Sequence, residues 1–214
     1  MVNVTEIKPF FTASTAVETP AVQTIISALN MQRHIEGGYF VETDRDQALV
    51  PSPFPGTSAS EETLSLVSVR PGYTPGFRNA STSIFYLLTP VSPAGRFHAN
   101  RARTIHTLHA GRGKYVLIHP SGRVETYIVG KNVANGEKLQ WVVEGGVWKA
   151  SYLLPDEGGE GSEGLLISET VVPGFEYQDH QFMPREKLVE VVGEDVAKEL
   201  DWLVRPSEEK APES

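Results

Sequence analysis

Residues 114–128 of the chain, KYVLIHPSGRVETYI, contain two short runs of alternating character that are joined by a turn. The runs cover residues 114–118 and 124–128. Alternation is typical of β-strands, and the linking His119-Pro120-Ser121-Gly122 has the Pro and Gly that tight turns favour. The stretch therefore predicts a β-hairpin with a well-defined register.

Similar short runs, separated by turn residues, fill the middle of the chain on both sides of this hairpin. We predict strands near residues 38–44, 63–70, 81–89, 95–100, 104–109, 113–119, 122–129, 139–143, 147–154 and 164–172. Short strands at this spacing are typical of a sandwich or barrel, so the middle of the chain is predicted to be all-β.

A helix is predicted at each end of this all-β region. The first helix is predicted to run to about Met31. Thr19 can cap its N-terminus, and Pro20 can occupy its first turn. Near the other end, apolar residues recur at helical spacing from Leu188 to Leu203. We expect both helices to pack on the outside of the sheets.

The chain is predicted to form one domain over residues 19–205. Residues 1–18 are an N-terminal extension, and residues 206–214 are predicted to be a disordered acidic tail. Two internal segments, 47–62 and 156–164, are rich in Pro, Ser, Gly or acidic residues and are predicted to be loops. We favour surface insertions, and pocket lids are the alternative. A length of 214 residues is compatible with one domain because all-β domains often reach it.

Composition excludes several classes of function. The formal charge of −8 argues against a binder of nucleic-acid backbones, which needs a basic surface. The absence of Cys excludes disulfides and thiolate metal sites. No apolar run approaches the roughly 20 residues that a membrane span requires, and the N-terminus lacks the pattern of a secretory leader, so a cytoplasmic location is expected.

Five short motifs occur in an order and spacing that together resemble a known family: IEGGYF at 35–40, SIFYLL at 83–88, FH at 97–98, VEGGVWKA at 143–150 and VPGF at 172–175. The chain resembles the cupin-5 group, particularly its fungal members, over residues 29–203. The resemblance implies a double-sheet jelly roll with a pocket between the sheets, commonly a homodimer, in a family whose biochemical role is largely unassigned. Cupins differ widely in activity, so function has to be argued from the pocket.

Metal-binding cupins usually supply three His and one Glu from two sequence motifs. The matching positions here are His98, Asn100, Thr104 and Lys149. An amide, a hydroxyl and an ammonium are poor ligands, so we predict that this site holds no metal and that the protein uses no cofactor. A displaced site that combines His98 and His106 with a carboxylate remains open, and the candidate carboxylates are Glu169, Glu42 and Asp44.

The catalytic candidates are His98, His106 and Tyr86, because imidazole titrates near neutrality and a phenol can return a proton. Arg103 or Lys149 could stabilise an enolate-like oxygen. The predicted substrate-binding residues are Phe40, Glu42, Phe97, Asn100, Arg103, Thr104, Tyr115, Trp148, Lys149, Glu169 and Phe175. The remaining imidazoles are predicted to lie at the surface, and they belong to His34, His109, His119 and His180.

These residues favour a metal-independent isomerase, epimerase or cyclase that acts on a small oxygenated organic molecule. Two alternatives stay open. One is a protein that binds a small ligand without turnover, and the other is a metal-dependent oxygenase or isomerase with rearranged ligands. The expected partners are a small molecule and a second copy of the chain, with neither nucleic acid nor membrane.

Overall fold

The computed structural model describes residues 3–54, 56 and 59–206. Its strands are, in chain order, β1 Gln32–Arg33, β2 Tyr39–Arg45, β3 Leu49–Pro51, β4 Phe77–Asn79, β5 Thr82–Leu88, β6 Ala94–Asn100, β7 Arg103–Ala110, β8 Gly113–Ile118, β9 Val124–Val129, β10 Gln140–Val143, β11 Trp148–Leu153, β12 Leu165–Val172 and β13 His180–Phe182. The α-helices are α1 Pro20–Ala28, α2 Glu61–Leu66, α3 Arg185–Val192 and α4 Glu194–Leu200. Single turns of 3-10 helix lie at Val4–Glu6, Val133–Asn135, Tyr177–Asp179 and Asp201–Leu203.

The strands form two main sheets in a jelly-roll arrangement. One sheet has six strands in the order β1-β2-β5-β12-β7-β10, and the other has five in the order β13-β6-β11-β8-β9. The pairings within both sheets are antiparallel. β3 and β4 pair with each other in a small separate sheet. The predicted all-β jelly roll with flanking helices is thereby confirmed.

The hairpin predicted from residues 114–128 is strands β8 and β9. Tyr115 lies opposite Tyr127, and the pairing continues without a shift along both strands. The turn closes through a hydrogen bond from the Gly122 amide to the His119 carbonyl. Gly122 has a φ of 79°, a left-handed conformation that glycine adopts without a steric penalty.

Three apolar clusters hold these layers together. The central cluster lies between the sheets and combines residues such as Leu88 and Ile167 with Leu117 and Leu153. A second cluster joins the outer face of the five-stranded sheet to α3 and α4. The third packs α1 on the outer face of the six-stranded sheet, where Val22 contacts the side of the sheet that carries Leu87. The helices thus cover outer faces and leave the space between the sheets free for a cavity.

Two predictions between residues 47 and 70 were wrong. The segment 47–62 is not only loop, because it contains β3. The strand expected near 63–70 is absent among the described residues, since α2 occupies Glu61–Leu66. The Ser60 hydroxyl caps this helix by accepting a hydrogen bond from the Thr63 amide. Two Glu residues in the first turn interact favourably with the positive end of the helix dipole. A local cap therefore outweighs a weakly alternating pattern.

The helices at the chain ends were predicted with small errors in length. α1 begins at Pro20 as expected, and the Thr19 hydroxyl accepts the Val22 amide at 3.4 Å. The C-terminal helix is divided into α3 and α4 at Gly193, which has a φ of 83°. Segment 156–164 is a loop of turns and bends. The predicted tail lies, after Pro206, outside the described residues.

Candidate active site

A cavity of about 190 Å³ opens between the two sheets. Its walls are mainly apolar and aromatic, and are formed by Phe40, Ile84, Tyr86, Val171, Phe175 and Tyr177. A narrow polar recess adjoins it and is lined by Glu36, Tyr86, His98, Tyr115, Lys149 and Glu169. Because Glu36, Tyr86 and Glu169 line both spaces, a small molecule in the cavity would contact these three residues of the recess.

Strand alternation explains why these polar side chains converge. His98 on β6 lies opposite Lys149 on β11, and His106 on β7 lies opposite Glu169 on β12. All four are buried, and the two pairs belong to sheets that face each other. Residues of one parity on each strand point inward, so the two sheets bring four chemically active groups together.

Lys149 lies at the centre of a buried hydrogen-bond network. Lys149 is only 3% exposed to solvent. The Nζ donates to Oε2 of Glu169 at 2.9 Å and to Nε2 of His106 at 3.2 Å. His106 is itself held by stacking on Trp141, with the ring centroids 5.1 Å apart. The ammonium is therefore fixed in position by an anion and an imidazole.

The charges in this network shift the acidity of its members. Burial alone would raise the pKa of Glu169, but the Lys149 ammonium and His106 outweigh burial and hold that pKa well below its usual range. Burial lowers the pKa of His106. Glu169 is thus a carboxylate and His106 a neutral imidazole at neutral pH, and His106 accepts the hydrogen bond from Lys149.

Glu36 lies in the turn between β1 and β2, surrounded by imidazoles. Its Oε1 is 3.0 Å from Nε2 of His180 and 3.3 Å from Nε2 of His98. Burial raises the pKa of Glu36 to about 7 and lowers the pKa of His180 to about 3. Burial also lowers the pKa of His98 well below its usual range. These imidazoles are neutral at physiological pH.

Ion pairs line the mouth of the cavity. Glu176 accepts hydrogen bonds from Arg45 at 3.0 Å and from Arg70 at 2.6 Å. Arg45 also binds Glu42 at 2.7 Å. Two positive and two negative side chains therefore meet at the rim, and their formal charges cancel.

The positions that match the metal ligands of other cupins do not fit a metal ion. Lys149 carries an ammonium that already binds Glu169 and His106, so it has no lone pair to offer a metal ion. Asn100 lines the cavity with an amide, and Thr104 is a buried hydroxyl. Of the four positions, His98 alone offers a ligand that transition metals prefer.

The structure brings most of the predicted site residues to the cavity. His98, Tyr115, Lys149, Glu169 and Tyr86 lie in the recess or line both spaces. The predicted substrate-binding residues that line the cavity wall or its rim are Phe40, Glu42, Asn100 and Phe175. Thr104 and His106 are buried beside them on β7. His106 contacts Lys149 instead of the cavity wall.

Three predicted binding residues lie elsewhere. Phe97 and Trp148 belong to the outer cluster under the C-terminal helices. Each directly neighbours an inward residue, His98 or Lys149, so alternation turns it to the opposite face. Arg103 has a side chain that is 51% exposed and pairs with Glu144 on the surface. It cannot stabilise an oxyanion in the recess.

Sequence reasoning misplaced two imidazoles and missed one carboxylate. His34 and His180 are buried, not at the surface, whereas His109 is exposed as predicted. Glu36 was not predicted as a site residue, although it lies within the IEGGYF motif. The two glycines that follow it could have indicated close backbone approach, because a Cβ at Gly37 would overlap the Ala94 carbonyl.

Comparison with known proteins agrees with this fold. The family model described as "Cupin superfamily (DUF985)", Cupin_5, matches residues 23–183. An uncharacterised protein of Saccharomyces cerevisiae, YML079W, is 46% identical over 186 residues, which is 86% of each chain. Fold, cavity and sequence together define a cupin, and the chain belongs to the Cupin_5 family.

Two solved structures share the fold over most of this chain. A hypothetical protein from Leishmania major has a TM-score of 0.68 and 26% identity, covering 86% of this chain and 98% of its own. The protein SO0799 from Shewanella oneidensis has a TM-score of 0.65 and 22% identity, with the same coverage.

Within the described residues, no helix is long and apolar enough to cross a membrane. The homodimer stays a prediction.

Proposed function

We propose that the chain is an enzyme that catalyses an isomerase-type proton transfer on a small oxygenated organic molecule bound between the sheets. The reaction would be an isomerisation, epimerisation or cyclisation. The observation that carries this proposal is the buried Lys149 ammonium, held between Glu169 and His106 in the polar recess that adjoins an apolar cavity. A buried, positioned cation beside a carboxylate is the arrangement that enolate chemistry needs.

Lys149 is the electrophile in this proposal. An ammonium has three N–H donors, and two are engaged by Glu169 and His106. The third is available to a substrate carbonyl oxygen in the recess. As negative charge develops on that oxygen, a desolvated and fixed ammonium stabilises it more than water would. His106 then acts as a positioning residue for Lys149.

Glu169 is the proton acceptor. Its carboxylate lines both the cavity and the recess and remains ionised at neutral pH. It takes a proton from the carbon next to the carbonyl, and the electron pair of that C–H bond moves into the enolate, whose oxygen binds Lys149. The proton then returns to another carbon or to the other face, so that the reaction needs no oxidant or reductant.

Tyr86 is the second proton donor. Burial raises the pKa of its phenol well above the usual value, so the hydroxyl stays protonated. It lines both spaces and donates to the Gly37 carbonyl at 2.8 Å. Return of the proton from Glu169 gives isomerisation on one face. If the enolate plane lies between Glu169 and Tyr86, donation of the proton from Tyr86 gives epimerisation. The proton held by Glu169 then passes through solvent to the Tyr86 phenolate, which restores both groups.

Deuterium incorporation tests the proposal. The protein is incubated with a small-molecule extract in D2O, and mass spectrometry identifies compounds that gain deuterium only when the protein is present. Wild type should label at least one oxygenated compound. The double variant Lys149→Met/Glu169→Gln should reduce labelling by about 100-fold or more.

Tyrosine variants supply a matched comparison. Tyr86→Phe should slow labelling, whereas Tyr127→Phe should not, because Tyr127 packs on Tyr115 and Trp141 instead of lining the cavity. Unchanged labelling in the Lys149 and Glu169 double variant would refute the mechanism. A compound that is retained by wild type but never labelled would instead establish a binding protein, which the aromatic walls also suit.

A further inference from the structure

Three side chains converge next to the Lys149 network, and two of them line the polar recess. They are Glu36, His98 and His180, which come from the turn after β1, from β6 and from β13. All three are buried, and each offers one ligand atom within 4.8 Å of the others. Residues far apart in the sequence are thus held at one point by the two sheets.

The hydrogen bonds of His98 fix which of its nitrogens is free. Its Nδ1 lies 2.8 Å from the Arg96 carbonyl oxygen, which can only accept, so Nδ1 carries the proton. The Nε2 of a neutral His98 therefore presents a lone pair. That lone pair faces Oε1 of Glu36 at 3.3 Å, a second acceptor. Two facing acceptors repel each other unless a positive centre lies between them.

His180 is arranged in the same way. Its Nδ1 lies 3.0 Å from the Thr63 hydroxyl, which in turn contacts the Ser60 hydroxyl at 2.9 Å. When Nδ1 donates to Thr63, Nε2 presents its lone pair to Oε1 of Glu36 at 3.0 Å. A His that ligates a metal commonly donates its other N–H to a protein oxygen in this manner.

We propose that Glu36, His98 and His180 bind one divalent transition-metal ion. Metal–ligand bonds of about 2.1 Å at right angles place neighbouring ligand atoms about 3 Å apart, close to the separations of 3.0 and 3.3 Å found here. Two imidazoles and one carboxylate suit Fe²⁺, Mn²⁺, Co²⁺, Ni²⁺ or Zn²⁺ better than Mg²⁺ or Ca²⁺. Glu36 lines the cavity, so an ion bound to it would lie near the cavity wall.

The nearby His34 is not a ligand. Its Nδ1 accepts the Glu36 backbone N–H at 3.2 Å, so that lone pair is already used. Only His98 is shared with the usual cupin ligand positions. The sequence analysis predicted a metal-independent protein from those four positions, without considering Glu36 or His180 as ligands, and the proposed site departs from that prediction. The site also goes beyond the proposed proton transfer, because neither Lys149 nor Glu169 is a ligand.

Cobalt binding to the full chain tests the site. The protein is stripped with a chelator and titrated with Co²⁺, whose visible absorption reports the ligands directly. Zn²⁺ and Mg²⁺ are added separately in thermal-melting measurements. The variants are Glu36→Gln, His98→Gln and His180→Gln. His34→Gln is the matched buried control, and His119→Gln, in the partly exposed β8–β9 turn, is a control far from the site in the sequence. Melting in the presence of chelator shows whether each variant folds.

We expect wild type to bind one equivalent of Co²⁺. Addition of Zn²⁺ should raise its melting temperature, whereas addition of Mg²⁺ should not. Each ligand variant should weaken Co²⁺ binding by at least about 100-fold, whereas His34→Gln and His119→Gln should retain it. If wild type shows no saturable Co²⁺ binding, a shared proton and not a metal ion lies between Glu36 and the two imidazoles, and the proposal is overturned. Equal affinity in wild type and ligand variants, or equal loss in His34→Gln, would overturn it too. These readouts need no turnover, so their failure leaves the Lys149 proposal standing.

Discussion

Glu169→Gln removes the negative partner of a buried ion pair while keeping the size of the side chain. The Nζ of Lys149 and Oε2 of Glu169 are 2.9 Å apart. At an effective dielectric constant of about 20, the attraction across that distance is about 6 kcal/mol. Desolvation of both charges opposes it, so the pair itself contributes much less. Removing one partner, however, leaves a buried charge uncompensated, which costs about 3–5 kcal/mol.

We therefore expect Glu169→Gln to lower the free energy of unfolding by about 3–5 kcal/mol, a large part of the 5–15 kcal/mol that holds a typical domain folded. Lys149→Met should be similarly costly, because it leaves the Glu169 carboxylate without its ammonium. The double variant Lys149→Met/Glu169→Gln leaves no buried charge at these positions. Its cost should be far smaller than the sum of the single costs.

Wild type, the two single variants and the double variant form a double-mutant cycle. Urea unfolding followed by tryptophan fluorescence measures the free energy of unfolding of each of these four proteins. The expected signature is a coupling energy of several kcal/mol, with both single variants much less stable than the double. Additive costs would refute the reasoning, since they would mean that the two charges do not interact. A single variant as stable as wild type would show that the pair is not buried in solution.

Three further predictions concern stability. The pKa of Glu169 is lower in the folded state than its unfolded value of about 4.5. The stability that the Glu169 carboxylate contributes should therefore be complete above about pH 4.5 and should be lost as the pH falls below it. Acid unfolding of wild type should show this loss, and acid unfolding of Glu169→Gln should not. Gly111→Ala should cost at least about 1–2 kcal/mol, because Gly111 has a φ of 76° and a Cβ there would overlap the Gly164 carbonyl. Gly136→Ala, at a φ of 83° in open space, should cost less in the same thermal melts. Thr19→Ala should cost about 1 kcal/mol through loss of the α1 cap, and an unchanged melting temperature would show that the cap is dispensable.

The sequence predicted those elements whose pattern is repeated or capped. The hairpin at 114–128 has two alternating runs and a Pro-Gly turn, and α1 has a cap followed by Pro, so each carries several agreeing signals. β1, β3, β4 and β13 have two or three residues each, which is too short for a detectable period. α2 was mistaken in part for a strand because the prediction rested on its weak alternation and did not consider the Ser60 cap that precedes it.

The candidate site was predicted in part for the same physical reason. Residues on long strands, such as His98, Lys149 and Glu169, could be assigned a common inward face from alternation. Glu36 lies in a turn and His180 in a three-residue strand, so no periodicity indicates where either side chain points. His180 is buried because β13 pairs with β6, where His180 lies opposite Asn100, and the Glu36 carbonyl accepts the Arg96 amide on the same strand. One sequence does not reveal such distant contacts.

Ligand capture tests most directly the claim that the cavity between the sheets is the functional site. Small molecules released from purified protein are identified by mass spectrometry for wild type and two variants. Ile84→Phe places a larger side chain in the cavity, and Ile105→Phe places the same change on the outer face of the sheet. We predict that wild type and Ile105→Phe release the same oxygenated compound and that Ile84→Phe, equally folded, releases none. Equal release from all three proteins would show that the molecule binds elsewhere and would contradict the account.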